Sequence, residues 1–109
     1  MANSPILHLA LTTEANEQRA NALAKSLLER RLVACVSLTS VRSLYGWAGA
    51  LQDDREVQLL MKTSVDRLDE LRRAVIDLHS YDTPEWLSWP VQGSQDYASW
   101  VAASCLSET

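Results

Sequence analysis

A chain of 109 residues, 47% apolar and carrying a net charge of −4, is long enough for one folded domain with a modest core and is no candidate for disorder. Its ten basic residues are scattered, which argues against the concentrated positive face of a nucleic-acid binder. No run approaches the ~18 apolar residues of a membrane span. Residues 1–11 lack the basic and apolar regions of a signal peptide, so a cytoplasmic protein without membrane or nucleic-acid partners is expected. Cys35 and Cys105 form no CxxC pair, and Cys35, inside an apolar run, reads first as a small buried hydrophobe.

Ile6 to Thr12 alternates, with Leu7, Leu9 and Leu11 on one face and His8 on the other, and predicts a strand. A helix is expected from about Glu14 to Arg31, capped by Thr13, because Ala20, Leu23, Ala24, Leu27 and Leu28 keep one stripe. Leu32 to Leu38 reads as a second strand continuing through Tyr45-Gly46-Trp47, with a turn at Ala48-Gly49-Ala50 and a return strand that includes Glu56 to Lys62. Gly46 suggests a bulge or a close backbone approach. Val65, Leu68, Leu71, Val75 and Leu78 predict a second helix over about 65–79, with Ser64 as its cap. Pro84 must end that helix, since it also keeps Thr83 out of the helical region. Trp86 to Val91 reads as a fourth strand, and Asp96 to about Ser104 as a short last helix.

The order strand, helix, strand, strand, helix, strand, then helix fits a single ferredoxin-like α+β sandwich over 1–109 with a long β-hairpin. Such a hairpin, carrying Tyr45 and Trp47, has unpaired edges and exposed aromatics that another chain would cover, so an oligomer is expected.

The segment His79-Ser80-Tyr81-Asp82-Thr83-Pro84-Glu85 concentrates an imidazole, a phenol and carboxylates on a stiff connection at a helix end. His79 reads equally as a helix cap or as a metal ligand. This segment resembles the His-Pro-Tyr-x-x-Pro-Glu signature of the CutA family, the divalent-cation tolerance proteins. Three further stretches resemble that family in order and spacing: Arg31 to Val36, Ser43 to Gly49 followed by Asp53-Asp54, Glu56 and Lys62-Thr63, and Gly93 with Asp96-Tyr97 and Trp100. The resemblance implies a non-enzymatic homotrimer of ferredoxin-like subunits, akin to the PII signalling proteins, whose hairpins pair across subunits. It also implies a role in the response to divalent metal ions, copper among them. Ser80 departs from the usual proline, Asp82 stands where Glu or Gln is usual, and Ser37 and Ser94 replace asparagines. Some members carry a cysteine and a second histidine where this chain has Thr12 and Leu78.

Two kinds of site follow. Cu²⁺ favours imidazole with oxygen donors, so His79 with Asp82 and Glu85 is the candidate metal set, and Cys35 would suit a softer ion. Alternatively a PII-like small-molecule crevice between subunits would gather Tyr45, Trp47, Glu56, Lys62 and Glu85, with Lys62 meeting an anion or pairing with Glu56 or Glu85. A third reading is a scaffold trimer that recruits an unidentified protein partner. No nucleophile elbow or glycine-rich phosphate loop is visible, so neither an enzyme nor an organic cofactor is expected.

Overall fold

The computed structural model describes residues 6–106. Strand β1 (Ile6–Glu14) is followed by helix α1 (Glu17–Glu29), the hairpin strands β2 (Cys35–Trp47) and β3 (Ala50–Thr63), helix α2 (Leu68–Leu78), strand β4 (Leu87–Gln92) and helix α3 (Gln95–Ser104). All strand pairs are antiparallel, in the order β2-β3-β1-β4, which is the expected ferredoxin-like sheet.

Helix α1 starts three residues later than the sequence suggested. Thr12 and Thr13 are β-branched and prolong β1, while Asn16, not Thr13, takes the cap and accepts the Arg19 N–H at 2.9 Å. Helix α2 is likewise shortened: Val65–Arg67 forms a 3₁₀ turn, and the Ser64 side chain makes no capping bond. At the other end of α1, Arg31 adopts φ 57°, the left-handed conformation that commonly stops a helix. The chain then turns inward, so Leu32 and Val33 plug the core as a loop, and β2 begins only at Cys35.

The hairpin closes on two residues, Ala48 and Gly49, both at positive φ as a type I′ turn demands. Its register runs unbroken from Cys35↔Lys62 to Trp47↔Ala50. Gly46 therefore marks no bulge, and open space surrounds it, which corrects the expectation at that position. Strand β1 pairs with β3 only as far as Val57, leaving residues 41–47 and 50–56 as a two-stranded arm. At ~3.3 Å per residue the arm projects about 20 Å beyond the sheet, in a molecule 53 Å long.

Alternation sends Ala10 and Thr12 of β1, with Val57, Leu59 and Met61 of β3, toward α1 and α2. There they meet Ala20, Leu23, Leu27, Leu71 and Val75 to form the main core. The leucine stripe of β1 thus faces the other way. Leu7 lies beneath α3 with Ala34, Ala98, Val101 and Cys105 in a second, smaller core. At Gly93 an added Cβ would lie 2.6 Å from Leu7 Cδ2, so glycine is what lets β4 run closely into α3.

Among the described residues, no helix other than α3 covers the second sheet face. One row across the sheet holds Trp89, Leu9, Lys62 and Cys35; the next holds Leu87, Leu11, Leu60 and Ser37. Leu87 is 49% and Trp89 38% exposed.

Candidate functional site

The connection between α2 and β4 is anchored at the end of β1. Strand β4 reaches only as far as Leu11, so the last carbonyls on that edge of β1 need other partners. His79 supplies one. Its Nδ1 accepts the Tyr81 N–H at 3.0 Å, so Nδ1 is the bare nitrogen and Nε2–H donates to the Thr13 carbonyl at 2.6 Å. The imidazole is fully buried, and its ring lies 4.9 Å from that of Tyr81. The backbone of His79 does end α2, donating to the Val75 carbonyl, but its ring serves β1.

Beside it sits Glu14, 2% exposed. Its carboxylate accepts Ser80 Oγ–H at 2.5 Å, the Ser80 N–H at 3.1 Å and the Ala15 N–H at 3.1 Å, with His79 Nδ1 at 3.5 Å. Burial raises the pKa of this carboxyl, but the Ser80 hydroxyl and the two backbone donors outweigh it and hold the group below its ordinary value. Ser80, the departure from the family proline, is therefore a bonding partner that a proline could not be, having neither hydroxyl nor N–H.

Tyr81 carries the connection to the second sheet face, where its hydroxyl donates to Glu56 at 2.7 Å. Burial first, and then this bond to a carboxylate, push the phenol well above its usual range. On the same face of the arm, the Tyr45 hydroxyl donates to Asp54. Arg42 and Asp53 face the helix side, joined by two bonds of 2.8 and 2.7 Å.

Within one copy the predicted residues do not gather in one place. Glu56 lies at the root of the arm, bonded through Tyr81 to the connection that bears His79, Asp82 and Glu85, while Tyr45 pairs with Gln52, two residues from Trp47. Trp47, 67% exposed, sits at the arm's tip. Lys62 and Cys35 form a cross-strand pair elsewhere, with Lys62 Nζ donating to Ser37 Oγ at 2.5 Å and lying 3.9 Å from Cys35 Sγ. Lys62 is opposite Leu9, whereas His79 reaches Thr13, about 13 Å farther along β1. Cys35 and His79 therefore do not share an ion in one copy. Among the described residues, no three His, Cys, Asp or Glu side chains are grouped to hold a metal. No helix among them is long and apolar enough to cross a membrane.

The buried Glu14–Ser80 contact escaped sequence reasoning, because Glu14 was assigned to the first turn of α1. The signal was present in Asn16, a stronger cap than Thr13, followed directly by the acidic Glu17.

Residues 8–104 match the family profile described as CutA1 divalent ion tolerance protein. A divalent-cation tolerance protein CutA from Pectobacterium atrosepticum is 45% identical over 96 residues, covering 86% of this chain and 87% of the relative. Among solved structures, CutA from Synechococcus elongatus superposes with a TM-score of 0.90 at 34% identity, over 97% of this chain and 95% of that one. The PII-like protein CutA from Nostoc superposes at 0.86 with 30% identity, over 91% and 97% of the two chains.

Proposed function

The chain belongs to the CutA family of divalent-cation tolerance proteins, and from that premise we propose that it acts in the response to divalent metal ions as a non-catalytic homotrimer. One observation carries the assembly. The second sheet face carries Leu9, Leu11, Leu60, Leu87 and Trp89, which no helix beyond α3 covers among the described residues, and it runs on into an arm of two strands alone. A two-stranded ribbon on its own is marginal in water, and an open apolar face beside it is a surface for association.

The metal reading follows the same logic. One copy lacks a grouped donor set among its described residues, so a site draws on the boundary between copies. His79, Asp82 and Glu85 of the connection are its proposed donors. A metal at His79 has to displace either the Tyr81 or the Thr13 bond, which makes binding weak. Cu²⁺, the divalent ion that imidazole holds best, is the one suited to that competition. Calorimetric titration of metal-stripped protein with Cu²⁺ tests this: weak binding is expected, and His79→Ala should reduce it further. Equal affinities in the two proteins would remove His79 from the site.

A further inference from the structure

The second sheet face carries a charge pattern that one copy does not neutralise. Lys62 extends from this face between Leu9 and Cys35, and its contacts among the described residues, Ser37 and Cys35, supply no carboxylate. Six residues along the same strand, Glu56 accepts from the neutral phenol of Tyr81, its bonding partner among the described residues. At ~3.3 Å per residue the ammonium and this carboxylate are about 20 Å apart within a copy, too far to pair. Between them on the same face lie Gln58 and Leu60, with Leu9 and Leu11 alongside on β1.

A face of this kind becomes buried when copies assemble, and a charge buried there without a partner opposes association. Rotational symmetry then decides which groups meet. In a three-membered ring the contact is heterologous, so one end of the face meets a different end of the next copy. The cationic end of one copy is thereby free to lie against the anionic end of its neighbour. Each copy offers one of each, which satisfies all three boundaries of a closed ring.

We infer that Lys62 of one copy pairs with Glu56 of the next, so that each boundary is closed by an ion pair set beside the Tyr81 hydroxyl. The inference rests on the trimer proposed above. It gives Lys62 and Glu56 the task of fixing which end of one sheet meets which end of another, as charge patterns at interfaces commonly do. It also joins the connection to the interface, because the Tyr81 phenol that orients Glu56 is held by the same segment as His79 and Ser80.

Charge reversal tests the pairing in the full chain. Lys62→Glu and Glu56→Lys, each alone, should raise the protomer concentration at half-dissociation by about thirtyfold or more, with unchanged far-ultraviolet circular dichroism. The double variant should recover most of that loss, whereas an equimolar mixture of the two single variants should not, because an odd ring always keeps one like-charge boundary. If a single reversal prevents folding, the milder Lys62→Gln and Glu56→Gln variants, with the salt dependence of dissociation, give the same answer. Their effects should be non-additive, whereas additive effects refute the pairing. A trimer that tolerates both reversals overturns the pairing while leaving the assembly intact. A wild-type monomer would instead overturn the assembly.

Discussion

Replacing Glu14 by alanine is expected to lower stability by about 3 kcal/mol in urea unfolding at pH 7, compared at equal protomer concentration. The carboxylate is buried and accepts from Ser80 Oγ, Ser80 N and Ala15 N, so its removal takes away one acceptor that serves three donors and leaves a gap where it was packed. The sign of the pH effect follows from its lowered folded-state pKa. The unfolded chain takes up the proton first, near the ordinary value of 4.5, so the contribution is fully present above that pH. It is lost as pH falls from there through the lower folded-state value. The variant should therefore show a shallower loss of stability across that acid window than the wild type. Superimposable acid profiles would show that the carboxylate does not tie the connection to β1.

The second large effect separates the two faces of one strand. Leu59 and Leu60 are neighbours on β3, but Leu59 is wholly buried toward the helices and Leu60 lies on the uncovered face. Leu59→Asp places an unpaired charge in the core and should abolish folding. Leu60→Asp should leave each copy folded, with native circular dichroism, and yet sediment as a monomer, a loss of association of about 3 kcal/mol or more. A Leu60→Asp protein that stays assembled would show that this face is not where copies meet.

These two outcomes also mark what was legible in the sequence. Helices α1 and α2 announced themselves because their stripes repeat at helical spacing, and the hairpin because two apolar runs flank a short Ala-Gly turn. Their ends were blurred where two physical signals compete. Thr12 and Thr13 favour a strand as β-branched residues, yet Thr13 is also an acceptable cap, and only the packing of Glu14 against Ser80 decides between them. Leu7, Leu9 and Leu11 gave the period of β1 without saying which face the helices would cover. The small and polar Ala10 and Thr12 went inward beneath α1 and α2, because facing leucines already fill that layer.

The functional segment shows the same division. The clustering of His79, Tyr81 and the carboxylates was visible as a pattern, and so was the family resemblance. What the ring of His79 does was not, since its partner is a backbone carbonyl 66 residues away. Sequence spacing cannot reveal a contact to a main-chain atom. The arm at Tyr45 and Trp47 was legible as an association signal from exposed aromatics alone. The sequence also offered Lys62 a partner in Glu56 or Glu85, and the strand register adds that Lys62 and Glu56 stand six residues apart on one sheet face.

Sedimentation velocity of the wild-type chain at micromolar concentration is the most direct measurement of the central claim. A single species of three times the 12.2 kDa chain mass is predicted. A folded single-chain species under those conditions would contradict it, and with it the shared boundaries on which the proposed metal chemistry relies.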